Sequence, residues 1–301
     1  MTRALAIVSE LGIPAALSGG SRSVDDIAAE AGVDAESLYR ILRALASDGV
    51  FVEHEQRVFG NTPTSEALRD EAWTSFAHLF GGVFYRAVAD LDRAVREGTS
   101  SFDETFGCDL WAFLAQNPDE RREFDRAMAG GKERSADRIA GLAWRDGEVV
   151  VDLGGGNGAL LKGLLRRRPR LRGIVFDLPE TNRDEPTFPE HLEFASGSFF
   201  DNVPAADTYV LAGVLHDWSD ERAAEILRVV RAAARSGARL LVLESVISPG
   251  NEDPDGAKWL DLLMLVISGR ERTAEEWRTL VEAGGFTVNR IENGLIEARC
   301  R

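Results

Sequence analysis

Apolar residues recur at helical spacing through the first fifty positions. Leu5, Ile7, Val8, Leu11 and Leu17 mark an amphipathic stretch from 4 to 17, in which Pro14 predicts a break or kink. Ser23 can cap a helix whose first turn holds Asp25 and Asp26, and Gly32 closes it. Asp34 opens the next, Ala35 to Ser47, with Leu38, Ile41, Leu42 and Leu45 on one face. Phe51–Glu53 and Gln56–Phe59 then read as a hairpin. Helix, turn, helix and hairpin in that order predict a winged-helix pattern. Residues 73–97 read as one further helix rich in large apolar groups (Trp73, Phe76, Leu79, Phe80, Phe84, Tyr85). These suit a core, or in part an aromatic pocket, and His78 fits either. Residues 99–108 read as a loop. Helices are expected from Asp109 and from Asn117-Pro118, the latter interrupted at Gly130-Gly131.

From residue 146 the pattern changes to short apolar runs alternating with amphipathic ones. Strands are expected at Val149–Leu153, Leu171–Asp177, Leu192–Ala195, Asp207–Ala212 and Arg239–Leu243, with helices at 159–165, 221–234 and 273–283. Two further strands fall between Phe286 and Ala298. The expectation is an α/β fold: a doubly wound, Rossmann-like domain over 146–301, connecting helices over 99–145, and a mostly helical winged-helix domain over 1–98. In such a sheet, ligands bind at the carboxyl ends of the strands.

That rule gathers the candidate chemistry. The first strand runs into Asp152 and a glycine cluster at 154, 155, 156 and 158, where a ligand can lie against the main chain. The spacing differs from the dinucleotide fingerprint, although Gly154 and Gly156 with Ala159 come near it, and there is no phosphate-cradling G-K-[ST]. A carboxylate at Asp152 sits badly with a pyrophosphate and suits a cationic ligand such as S-adenosylmethionine. Asp177 ends the next strand about 20 residues on, placed to accept hydrogen bonds from ribose hydroxyls. His216 follows the fourth strand. An imidazole with an ordinary pKa near ~6.5 can take a proton at physiological pH, and a carboxylate would fix its tautomer. Glu244 and Glu271 are both available for that. Asp217, adjacent in sequence, is expected to point elsewhere. Trp111, Phe113 and Met128 are pocket candidates, with core packing as the alternative. No His and carboxylate cluster has metal-ligand spacing, so no metal is expected.

Charge narrows the partners. Thirty-five basic against fifty acidic residues give a net −15, which argues against nucleic acid and anionic membrane. Residues 1–70 hold six Arg, no Lys and eleven acidic residues, near −5, so the winged-helix segment is expected to self-associate through its first helix, not to bind DNA. Cys108 and Cys300 give no disulfide framework, and a cytoplasmic setting is expected.

With these residues in view, the chain resembles the S-adenosylmethionine-dependent O-methyltransferases of the plant caffeate and flavonoid type and their bacterial relatives in aromatic polyketide tailoring. The resemblance rests on VDLGGGNG (151–158), FDLP (176–179), GSFF (197–200), LHDWSD (215–220), GRERTAEEW (269–277), AGGF (283–286) and LGI (11–13). It implies a homodimer through the N-terminal domain and an aromatic small-molecule acceptor. It implies that Gly154 and Gly156 approach the methionine part of the cofactor, that Asp177 holds its ribose, and that Ser198 and Phe199 flank its adenine. His216 would be the general base, oriented by Glu244 and Glu271. Three departures stand out. Ser198 replaces the usual Asp, Ala212 stands where the plant enzymes carry a lysine, and the chain begins almost at LGI, so part of the usual N-terminal arm is expected to be absent. A relative that keeps the cofactor for N-methylation or a hydroxylase-like reaction is the alternative, and a winged-helix regulator a more distant one.

Overall fold

The computed structural model describes residues 1–181, 190–251 and 256–300. The chain forms two compact units. One comprises Met1–Ala89 with Asn117–Gly130, the other Asp90–Gln116 with Gly131–Arg301. The region expected to connect two domains, 99–145, is thus shared between the units.

The first unit starts with α1 (Thr2–Glu10) and α2 (Ile13–Ala16). The break falls at Gly12, in the left-handed region at φ 65°. Pro14 lies in the first turn of α2, where its missing N–H leaves nothing unsatisfied. β1 (Arg22–Ser23) leads into α3 (Val24–Ala31), whose cap Ser23 accepts from the Asp26 amide at 3.2 Å. Asp34 caps α4 (Ala35–Ser47), accepting from Ser37 N at 2.8 Å. β2 (Phe51–Glu55) and β3 (Val58–Asn61) pair antiparallel, and β1 adds to β3, completing the winged helix. Ile13, Leu42, Phe51 and Phe59 are among its buried core. The apolar side of α1 is partly consumed here too: Ala6 and Val8 are fully buried within this chain.

After α5 (Pro63–Ala67), the long helix expected over 73–97 is three: α6 (Glu71–Gly81), α7 (Val83–Ala89) and α8 (Leu91–Glu97). Gly82, at φ −105° and ψ −105°, leaves helical geometry and ends α6. The loop expected at 99–108 contains α9 (Ser101–Phe106). Ser100 caps it by accepting from Asp103 N at 3.1 Å, and Gly107 ends it in the left-handed region. α10 (Leu110–Gln116) follows, then α11 (Pro118–Ala129), which packs on α6 in the first unit. There His78 Nε2 lies 3.2 Å from Glu120 Oε2, a contact within the first unit.

The second unit continues with α12 (Lys132–Ala140), β4 (Val149–Leu153), α13 (Ala159–Arg167), β5 (Arg172–Asp177), β6 (Leu192–Ser196) and β7 (Thr208–Ala212). A 3-10 turn (Leu215–Asp217) precedes α14 (Asp220–Ala233), β8 (Arg239–Leu243), β9 (Val246–Ile247), α15 (Gly256–Val266), β10 (Arg272–Thr273), α16 (Ala274–Ala283), β11 (Phe286–Glu292) and β12 (Leu295–Cys300). Seven strands form one sheet in the order β11-β12-β8-β7-β4-β5-β6. β8 to β6 run parallel and the final hairpin adds antiparallel to β8. Helices cover both faces, which is why Val150, Val151, Val210 and Leu241 are apolar without alternation: each is fully buried. Among the described residues no helix is long and apolar enough to cross a membrane.

Candidate active site

The strand order turns between β4 and β7, and the groups of interest gather at the carboxyl ends of these two strands and their neighbours. At the end of β4, Gly154 and Gly156 take φ values of 66° and 58°, which a residue with a Cβ rarely adopts. The turn is fastened from both sides: Gly154 N donates to Phe176 O at 2.9 Å, and Gly156 N donates to Asp177 Oδ2 at 2.8 Å. Asp177 Oδ1 also accepts from Thr181 Oγ1 at 2.6 Å. Beneath the turn Asp152 is buried, and its Oδ2 has no hydrogen-bond partner. Burial, with help from Asp177 and against Lys132, pushes its pKa up to about 7. A buried carboxylate oxygen of this kind invites a cation or a strong donor. The space off Gly156 is open, with nothing within 4 Å of where a Cβ would stand. A ligand that brings an ammonium to an open glycine cradle fits these residues.

His216 sits on the 3-10 turn that follows β7. Its Nδ1 is 2.6 Å from Glu271 Oε1 and 3.7 Å from Glu244 Oε2. The two glutamates do different work. Glu271, the residue before β10, is the direct partner of the ring. Glu244 accepts with Oε1 from the amides of Val214 and Leu215, both at 2.9 Å, and so shapes the turn itself. Asp217 does not point away: its Oδ1 lies 3.4 Å from His216 Nε2. Residues adjacent on a 3-10 turn fold back more tightly than an extended chain would allow. Burial works against a charged imidazole here, but Glu244, Asp217 and Glu271 outweigh it and push the His216 pKa up to about 10. Burial raises the Glu244 carboxyl and pushes Asp217 up to about 7.

A fully buried arginine holds this turn. Arg272 donates to Leu215 O at 3.1 Å, to Trp218 O at 2.9 Å and to Asp220 Oδ1 at 2.8 Å. Arg270 N donates to His216 O at 2.8 Å. The segment passes so close that a Cβ on Gly269 would stand 2.3 Å from His216 O. The GRER run in sequence is the signal for this clamp, although neither Arg272 nor Gly269 stands out from composition. A cavity of about 500 Å³ borders His216 and Glu244, with Ser135 and Arg138 of α12 and Asn293 of the β11–β12 turn in its wall.

The remaining candidates are dispersed. Phe199 lies 3.8 Å from the Cβ position of Gly154, on the turn after β6, and Ser198 Oγ accepts from Phe200 N at 3.1 Å. Phe199 also meets Trp218 edge to face at 6.1 Å. Trp111 stacks on Trp218 with ring centres 6.0 Å apart, next to the histidine turn. Phe113 packs on Phe102 and Phe106 at 5.6 and 4.8 Å. Met128 belongs to the other unit. Among the described residues no group of three or more His, Cys, Asp and Glu is arranged to hold a metal ion.

Residues 88–287 match the model of the O-methyltransferase domain, and residues 1–70 match that of the O-methyltransferase dimerisation domain. The chain belongs to the O-methyltransferase family. It is an S-adenosylmethionine-dependent O-methyltransferase. The chain is 37% identical to the phenazine O-methyltransferase PhzM of Lysobacter antibioticus, over 99% of this chain and 92% of that one. Its structure superposes on that of the mitomycin 7-O-methyltransferase with a TM-score of 0.90 at 30% identity, covering 99% and 93% of the two chains. An O-methyltransferase of neocarzinostatin biosynthesis, solved with S-adenosyl-L-homocysteine and 1,4-dihydroxy-2-naphthoic acid, gives 0.84 at 32% identity, with 99% and 95% covered.

Proposed function

We propose that this O-methyltransferase methylates a hydroxyl of an aromatic small molecule of the kind found in antibiotic-like secondary metabolism, and that His216 takes the hydroxyl proton. The reading is carried by one observation: Glu271 holds Nδ1 at 2.6 Å, so that Nε2 is the ring nitrogen left for proton exchange, beside the carboxyl ends of β4 and β7. Gly154 and Gly156 would lie along the amino-acid part of the donor, Asp152 would face its ammonium, Asp177 its ribose, and Ser198 and Phe199 its adenine. When bound, the donor supplies a methyl carbon made electrophilic by its sulfonium.

The chain's own work is positioning and proton handling. A phenol has an ordinary pKa near ~10, so little of it is ionised at neutral pH, while its phenolate is a good nucleophile. His216 has a pKa matched to that value, so moving the proton from phenol to Nε2 costs little. The productive complex therefore holds one proton between imidazole and acceptor oxygen. Glu271 fixes the tautomer, Asp217 lies beside Nε2 to support the imidazolium, and Glu244 and Arg272 keep the turn in place. The aromatic character of the acceptor is supported by the ligands named for the relatives and by the Trp111–Trp218 stack beside the histidine turn.

We also propose that two copies associate through the winged-helix unit, whose exposed aromatics include Trp73 and Tyr85. Light scattering on the purified protein tests this, with a monomer mass as the contrary result. The function itself is tested by incubating the protein with S-adenosylmethionine and a panel of hydroxylated naphthoates, phenazines and benzoates. Mass spectrometry should show a gain of one methylene unit per product together with S-adenosylhomocysteine. Cofactor turnover with none of these acceptors, in a protein that binds S-adenosylhomocysteine, would count against the acceptor class.

A further inference from the structure

Lys132 is the first residue of α12, at the positive end of a helix whose N-cap, Gly131, offers no side chain. A cation at that end adds to the helix dipole instead of opposing it, at a cost of a few tenths of a kcal/mol or more. Glu133 in the same turn and the nearby Asp152 and Asp217 offset part of that cost, and an anion held by the ammonium itself would offset more. The Lys132 ammonium reaches the carboxyl end of β7, donating to Ala212 O at 2.7 Å, which occupies one of its three donors. From the outward face of Gly213, a Cβ position would stand 3.9 Å from Lys132 Nζ and 3.8 Å from His216 Nε2, with no other atom within 4 Å beyond the residues flanking the glycine in the chain. The ammonium and the imidazole thus flank the same open space. The strand beside β7 is β4, whose buried Asp152 Oδ2 is without a partner under the glycine turn. Lys132 is close enough to Asp152 to lower its pKa against the effect of burial. Strand ends one position apart in the sheet therefore present an unpartnered carboxylate oxygen and an ammonium with donors to spare. That pair of opposite charges complements a zwitterion.

We propose that Lys132 binds the α-carboxylate of the cofactor's amino-acid end, with Asp152 facing the α-ammonium. The assignment rests on the S-adenosylmethionine reading above. It gives the amino-acid end of the donor a charged grip supplied by a helix outside the glycine motif. A merely structural Lys132, tying α12 to β7 through Ala212 O, would stabilise the fold without distinguishing one adenosyl ligand from another.

Isothermal titration separates these roles. The ligands are S-adenosylhomocysteine and its decarboxylated analogue, which keeps the ammonium and thioether nucleoside and lacks the carboxylate. In the full-length protein, Lys132→Met should weaken S-adenosylhomocysteine by about ten- to hundred-fold, as expected for losing a charge-assisted hydrogen bond. It should leave the decarboxylated analogue within about twofold, which also shows that the variant is folded, and Lys132→Arg should recover most of the loss. Equal affinity of Lys132→Met and wild type for S-adenosylhomocysteine overturns the assignment, as do equal losses on both ligands. A wild-type protein that binds neither ligand overturns the cofactor reading itself, and this assignment with it.

Discussion

Replacing Glu271 by Gln keeps the shape of the side chain and removes its charge from the atom 2.6 Å from His216 Nδ1. Two unit charges about 4 Å apart interact by about 4 kcal/mol at an effective dielectric constant near 20, and an opposite charge at such range moves a pKa by roughly one to three units. Glu244 and Asp217 remain, so the His216 pKa should fall from about 10 into the range of roughly 7–9. The sign follows from linkage. A histidine raised above its ordinary pKa stabilises the fold below that ordinary value, and the contribution is lost as pH rises through about 10. The same proton must leave His216, or the bound phenol, before methyl transfer. Turnover of the wild-type enzyme should therefore climb with pH through neutrality and level only in the alkaline range. In Glu271→Gln the rise should level about one to three pH units earlier, at a plateau reduced by about ten- to hundred-fold because a weaker, less firmly oriented base remains. The assay is steady-state kcat against pH with saturating cofactor and one phenol of ordinary acidity. A break point that stays where it is in wild type would refute Glu271 as one of the charges that, with Glu244 and Asp217, raise this histidine.

Three further outcomes follow from the site and its supports. Asp152 has a raised pKa, so its contribution to stability is full below about 4 and lost as pH rises through about 7; Asp152→Asn should therefore raise the stability of ligand-free protein at pH 8 by up to about 4 kcal/mol, and by less at pH 5, while weakening S-adenosylhomocysteine. A thermal shift of the opposite sign at pH 8 would contradict the buried-charge account. Arg272→Ala strands the carbonyls of Leu215 and Trp218 and should cost about 2–4 kcal/mol in denaturant titration, with kcat falling more than cofactor affinity. Gly269→Ala forces a methyl against His216 O and should lower both the melting temperature and kcat, with a stability loss of about 1–3 kcal/mol; unchanged kcat would show that the turn can yield there.

Much of this fold and site is legible in the sequence. Buried parallel strands announce themselves as unalternated apolar runs, so β4, β5, β7 and β8 were readable, and the rule of carboxyl-end ligand sites then placed Asp152, Asp177, His216 and Glu244 together. Caps were equally plain at Ser23, Asp34 and Thr273, where a short polar side chain precedes an apolar period. What failed depended on backbone detail or on distance in sequence. A periodic pattern continues across Gly82, so one helix was expected where the backbone makes three. α9 is six residues long, too short for periodicity to register, although Ser100 and Gly107 bracket it. Adjacency in sequence alone points Asp217 away from His216, whereas the 3-10 turn brings its Oδ1 to 3.4 Å from Nε2. The choice between Glu244 and Glu271 needed distances, since both stand within reach of the same turn. Lys132 carried no sequence signal, because it arrives at β7 from eighty residues away.

The central claim is that a proton leaves the acceptor for His216 while the cofactor is held by other residues. The most direct measurement is a single-turnover methyl transfer by His216→Ala, set beside titration of the same preparation with S-adenosylhomocysteine. The account predicts cofactor affinity within about threefold of wild type and a rate of transfer lower by about 10²–10⁴. Transfer at a near wild-type rate would contradict it.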